Sequence, residues 1–155
     1  MPNTARIALV TGGGSGIGAA VAARLRSDGF TVATIDLNPS DTDFSYVADV
    51  TDRAAVDAAV TEIHRALGPI TVLVNAAGRE NFRRFTDIGF DEWRTIIDIN
   101  LHGVFHTIQA VLPDMIAAGW GRIVNISSSS THSGTPYMSA YVAAKSGVNG
   151  LTKSL

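Results

Sequence analysis

The chain has 155 residues, 46% of them hydrophobic and 17% charged, with a formal net charge of −2 and no cysteine. That is enough apolar material for a core and too much for a disordered chain, so a single domain over residues 1–155 is expected. The charge balance offers no basic field for nucleic acid or an anionic membrane. The absence of thiols excludes disulfides, cysteine nucleophiles and zinc–thiolate centres.

Met1–Arg6 leads directly into a short apolar run, Ile7–Val10. This run is far shorter than a signal sequence or a membrane span, and a cytoplasmic location is expected. It reads as a strand, as do the β-branched runs Thr31–Ile35, Phe44–Val47, Thr71–Val74 and Arg122–Ile126. Between them, Ile17–Arg26, Ala54–Leu67 and Phe90–Ala117 carry apolar residues at helical spacing, the last as one long helix. Strands alternating with helices imply right-handed crossovers and a parallel sheet covered on both faces. A final helix starts near Ser139 and is still running at Thr152–Leu155 without a stop signal. The last strand is apolar on both faces, which suits the middle of a sheet, so a fold cut short before its last strands is expected.

The first strand runs into Thr11-Gly12-Gly13-Gly14-Ser15-Gly16-Ile17-Gly18, which opens a helix. Glycines there permit a tight turn, let backbone approach a pyrophosphate and bring the helix N-terminus up to the phosphates. Asp36 ends the second strand, where a carboxylate can accept from the hydroxyls of an adenosine ribose. The same carboxylate repels the extra phosphate of NADP, and no lysine or arginine in the glycine turn or just after Asp36 offsets it; NAD is the expected cofactor. Tyr141 and Lys145 are four residues apart, hence on one helical face. A phenol, with an ordinary pKa near 10, needs a depression of roughly three units to act as a base near neutral pH, and an adjacent ammonium can contribute to it.

These motifs together resemble the short-chain dehydrogenase/reductase family. The resemblance rests on Thr11–Gly18, Asn75-Ala76-Ala77-Gly78 after a strand, Asn100 within Ile99-Asn100-Leu101, Ser128 after the fifth run, and Tyr141-x3-Lys145, and it covers essentially the whole chain. It implies a Rossmann-type α/β fold, a doubly wound parallel sheet in the order 3-2-1-4-5. The activity implied is hydride transfer between NAD(H) and a secondary alcohol or ketone. Within that activity, the resemblance implies Tyr141 as general acid/base and Lys145 as its tuner and a ligand of the nicotinamide ribose. It also implies Ser128 on the substrate oxygen, with Ser127, Ser129 and Ser130 as nearby alternatives, and Asn100 holding a water of a proton relay. Gly12, Gly14, Ser15, Gly16, Ile17 and Gly18 would receive the cofactor phosphates. Asp49 and Val50 would border the adenine and Asn75 the ribose beside it, and Ala76, Ala77, Gly78, Tyr141 and Lys145 would also contact the cofactor. Ala76 departs from the family's usual asparagine and removes one polar group near the cofactor.

The resemblance further implies a homodimer or homotetramer built on the long helix and the one from Ser139. Val104, Ile108, Val148 and Leu151 are more apolar positions than one core face needs. A rival class is a catalytically silent dinucleotide-binding or interaction protein. Epimerase and dehydratase relatives are disfavoured by the glycine spacing. His102 and His106 are four apart but lack a third ligand, so no metal is expected. Arg79, Arg83 and Arg84 read either as a solvated loop or as a site for an anionic substrate.

Overall fold

The computed structural model describes residues 6–38 and 40–155, so that most of the lead-in, Met1–Ala5, lies outside the described residues. Five strands, β1 (Ile7–Thr11), β2 (Thr31–Asp36), β3 (Ser45–Val47), β4 (Val72–Asn75) and β5 (Arg122–Asn125), form one parallel sheet in the order β3-β2-β1-β4-β5. In register, Leu9 lies between Ala33 and Leu73, and Val74 pairs with Val124. The helices are α1 (Gly16–Ser27), α2 (Arg53–Ala66), α3 (Phe90–Ile97), α4 (Gly103–Ala118), the single turn α5 (Ser130–Ser133) and α6 (Ser139–Ser154).

The two-residue period of the strands sorts their side chains onto two buried faces. Leu9, Ile35 and Leu73 point to the face covered by α2, α4 and Val148 of α6. Ala8, Val10, Val32 and Val74 point to the other, where Ala22 and Leu25 of α1 and Trp120 cover them. Leu9, Ile35 and Leu73 are fully buried, each contributing roughly 1.5–3 kcal/mol of transfer free energy. Asp52 caps α2 by accepting from the amides of Ala54 and Ala55 at 2.9 and 3.2 Å.

Two expectations change. Phe90–Ala117 is not one α-helix: a π turn, Asp98–His102, separates α3 from α4, and the Gly103 amide donates to the Asp98 carbonyl five residues back. The apolar positions assigned to a subunit interface are also consumed by the chain's own core. Val104, Ile108 and Val148 are each at most 4% exposed, and Leu151 packs beside them. The large apolar residues that α4 exposes are Phe105 and Ile116.

The start of α1 lies hard against the glycine turn. A Cβ on Gly18 would stand 2.1 Å from the Gly12 carbonyl oxygen, a contact no side chain rotation relieves. Gly18→Ala should therefore destabilise the fold by about 1–3 kcal/mol or more, seen as a lower melting temperature. Gly150→Ala, on α6 where open space surrounds the new methyl, should raise stability by about 0.5–1 kcal/mol. Equal melting temperatures for the two variants would contradict this account.

Candidate active site

The carboxyl ends of the strands open onto a cleft of about 470 Å³. Its floor is the glycine turn, with Gly12, Ser15, Gly16, Ile17 and Gly18 on the wall. Gly12 has φ +66°, and a Cβ there would meet the Ala77 backbone at 2.8 Å, so β1 and the loop after β4 touch main chain to main chain. Thr11, fully buried, ties the two loops together: its Oγ1 accepts from the amides of Ala76 and Ala77 at 3.2 and 3.1 Å. Gly14 does not line the cleft; its amide donates to Asp36 Oδ2 at 3.0 Å.

One end of the cleft is acidic. Asp36 accepts from the Gly14 amide and, through Oδ1, from the Asn38 amide at 3.0 Å. A carboxylate has about four acceptor positions, so two remain to address hydroxyls in the cleft. Asp49 holds the amide and hydroxyl of Thr51 with one oxygen, both at 2.8 Å. Val50 is buried behind it, its carbonyl facing His106 Nδ1 at 2.9 Å. Among the residues lining the cleft, Arg79 is the one cation.

At the other end the π turn carries Asn100, fully buried. Its Nδ2 donates to the carbonyls of Arg79 (2.7 Å) and Ile96 (2.9 Å), and its Oδ1 accepts from the Arg79 amide at 3.3 Å. Asn100 thereby clamps the backbone just after Gly78. A Cβ on Gly78 would lie 2.9 Å from Asn100 Oδ1 and 3.5 Å from Lys145 Nζ, so this glycine keeps both polar groups at the cleft's edge.

Lys145 is 4% exposed, and among the described residues it forms no ion pair. Its Nζ donates to the carbonyl of Ile126 at 2.7 Å and lies 5.7 Å from the centre of the Tyr141 ring. Burial holds its ammonium below the usual lysine value. Tyr141 is half-buried one turn earlier on α6, and Ser128 follows two residues after the carbonyl that Lys145 grips. Lys145 thus ties α6 and the Tyr141 ring to the loop that follows β5, and Gly78 lies between its Nζ and Asn100. Tyr141 and Ser128 lie outside the cleft wall itself.

Asn75 is placed differently from the others. Its side chain turns into the sheet, accepting from the Thr107 hydroxyl at 2.7 Å and donating to Asn125 Oδ1 at 2.9 Å. Its carbonyl accepts from the Ile126 amide, so it shapes the loop from within rather than presenting a polar group to the cleft. Asn125 Nδ2 continues this line of contacts to Thr152 of α6 at 2.9 Å. His102 and His106 are engaged separately, with Asp98 and with the Val50 carbonyl. Glu92 accepts from Asn81 Nδ2 at 3.1 Å and pairs with Arg83 at 2.6 Å, and the Asn81 hydrogen bond followed by that of Arg83 holds its carboxyl below the usual range. Thr11, the brace between the two loops, was missed as a contributor, although its place at the head of the glycine motif was visible.

Over residues 6–155 the chain matches the family model described as short chain dehydrogenase, and it belongs to that family. It is 42% identical to 2-dehydro-3-deoxy-L-rhamnonate dehydrogenase (NAD(+)) of Sphingomonas sp. (strain SKA58), over 97% of this chain and 64% of that enzyme. Ligand-free aldohexose dehydrogenase of Thermoplasma acidophilum superposes with a TM-score of 0.93 at 37% identity, over 97% of this chain and 60% of that one. Actinorhodin polyketide ketoreductase, solved with NADPH, superposes with a TM-score of 0.89 at 31% identity, over 97% and 63%. The chain spans less than two thirds of the length of each. Among the described residues, no helix is long and apolar enough to cross a membrane.

Proposed function

We propose that this chain carries the cofactor cleft and proton-transfer groups of an oxidoreductase that moves a hydride between NAD(H) and a secondary alcohol or its ketone. The observation that carries the proposal is Lys145: an ammonium buried with no counter-ion among the described residues, gripping a carbonyl just past a strand end and lying near a tyrosine ring. An arrangement so costly to the fold is the kind that functional sites retain. The glycine turn, too tight for side chains at Gly12 and Gly18, suits a pyrophosphate, and Asp36 suits a ribose diol.

A nicotinamide dinucleotide, when bound, supplies or takes the hydride. The chain's own groups manage the proton. Ser128 donates a hydrogen bond to the substrate oxygen, where alkoxide charge develops. The Tyr141 hydroxyl gives that oxygen its proton in reduction and takes it in oxidation. Lys145 sets positive charge beside the phenol and would hold the nicotinamide ribose when the cofactor is bound. Asn100 fixes the Gly78–Arg79 turn and, by the family resemblance, a water that relays protons onward. The substrate is a small alcohol or ketone, and a homodimer or homotetramer through α4 and α6 is part of the same proposal. The test is reduction of NAD+ by the protein with a panel of secondary alcohols, hydroxy acids, polyols and aldoses. Turnover with at least one of them is expected; tight NADH binding with no turnover on any would overturn the proposal.

Cofactor choice rests on Asp36. The 42% identical rhamnonate dehydrogenase relative has NAD(+) in its name, whereas the ketoreductase was solved with NADPH. Asp36→Ala should weaken NADH binding roughly tenfold or more, the worth of hydrogen bonds to a charged group, and should narrow or reverse the discrimination against NADPH. Fluorescence titration of both cofactors reads this, and tighter NADPH than NADH in the parent protein would refute the role given to Asp36.

A further inference from the structure

We propose that Ser130 is a positioning residue that sets the direction of the Ser128 hydroxyl. The inference rests on the role given above to Ser128. Of the neighbouring serines, Ser129 is exposed and Ser127 has a buried hydroxyl with no partner among the described residues. Ser130 alone among them touches Ser128: its amide donates to Ser128 Oγ at 3.2 Å, and the two hydroxyl oxygens are 2.8 Å apart. Ser130 is itself 7% exposed.

Its place is fixed by the single turn α5. The Gly134 amide donates to the Ser130 carbonyl at 2.9 Å, and the Thr131 amide and hydroxyl donate to the Ser128 carbonyl at 3.2 and 2.8 Å. Asn149 Nδ2 donates to Thr131 Oγ1 at 3.1 Å, which ties this turn to α6, the helix of Tyr141 and Lys145.

A serine hydroxyl has one proton and two lone pairs. The Ser130 amide fills one lone pair of Ser128 permanently. When the substrate presents a carbonyl, the Ser128 proton goes to it, and the Ser130 hydroxyl donates into the remaining lone pair. Each hydrogen bond in that chain polarises the next. When the substrate presents a hydroxyl, its one proton is directed to Tyr141, and Ser128 still donates to the oxygen while the Ser130 hydroxyl donates into Ser128. The Ser130 hydroxyl thus holds the Ser128 proton toward the substrate oxygen in both directions of the reaction, with no heavy atom displaced.

Ser130→Ala should lower kcat about three- to tenfold, as the loss of one hydrogen bond implies, with NADH affinity unchanged. Ser130→Thr, which keeps the hydroxyl, should restore kcat to within about twofold. In a Ser128→Ala background, Ser130→Ala should cost nothing further, because the group it positions is gone. A merely structural role would repeat the loss there. A readout independent of turnover is the Ser130 hydroxyl proton by NMR, expected to be protected from exchange in the parent and unprotected in Ser128→Ala. Full kcat in Ser130→Ala, an equal loss in both backgrounds, or a freely exchanging Ser130 hydroxyl in the parent overturns the proposal. Ser130→Ala inert with Ser128→Ala crippled sinks this inference alone; full turnover by Ser128→Ala sinks the role of Ser128 as well.

Discussion

Replacing Tyr141 with phenylalanine is expected to reduce turnover at least about a hundredfold while leaving NADH affinity and melting temperature nearly unchanged. The variant keeps the ring that lies 5.7 Å from Lys145 Nζ and removes only the hydroxyl. The packing of α6 rests on Ala140, Ala144 and Val148, all buried and all untouched. What disappears is the group that exchanges a proton with the substrate oxygen, and general acid–base catalysis contributes about 10²–10⁴-fold. Ser128 cannot replace it, because an alcohol polarises an oxygen well and ionises poorly. Steady-state kinetics with the best alcohol at saturating NAD+ decide the matter. Near-normal turnover by the variant would end the mechanism.

Lys145→Met separates function from stability. Turnover should fall about a hundredfold and NADH should bind more weakly, since the variant loses the charge beside Tyr141 and the contact offered to the cofactor. Stability should respond differently, and its sign depends on pH. Burial lowers the folded-state pKa of Lys145 below the ordinary lysine value of 10.5. Below the folded value the lysine is charged in both states, and the folded chain bears the full desolvation cost. As pH rises from the folded value toward 10.5, the unfolded chain binds more protons than the folded one, and the parent gains stability. Methionine has no such titration. The stability of Lys145→Met relative to the parent should therefore decline across that alkaline window, measured by denaturation at several pH values. A stability difference that does not change with pH would refute the buried-ammonium account.

The sequence revealed most of what is periodic or local. The runs of β1, β2 and β4 are legible because both of their faces are buried and nearly all apolar, whereas β5 leaves Val124 48% exposed, and α1 and α2 begin within one residue of their expected starts. Phe44 was placed in β3 by its side chain, but it has φ +60°, a turn conformation that ends the loop before the strand. The π turn was hidden because Ile99 and Leu101 continue an apolar pattern that a continuous helix would also show. The turns of α5 and of Phe85–Asp87 are too short to have a period. In the candidate site, the glycine turn, Asp36 and the Tyr141–Lys145 pair are compact in sequence and could be picked out. The inward turn of Asn75 could not, because its partners Thr107 and Asn125 are 32 and 50 residues away. Ser130 could be named only as one of four adjacent serines, since contact with Ser128 depends on a turn that the sequence does not announce.

The widened turn at Asp98–His102 has a geometric consequence beyond the seating of Asn100. An α-helix turns about 100° per residue, so one residue more in a single turn rotates everything downstream by about that angle. Helices α3 and α4 follow one another along nearly one rod, yet α3 lies against α6 while α4 lies against α2, β4 and β5. The extra residue acts as a phase shifter between two halves that address different neighbours. Were one residue deleted there, the stripe Val104, Ile108, Val111 and Met115 would swing more than a quarter of the way around the rod, away from the sheet it now covers. The spacing between Asn100 and the core stripe is thus quantised: this stretch tolerates exchange of side chains far better than any change in its length.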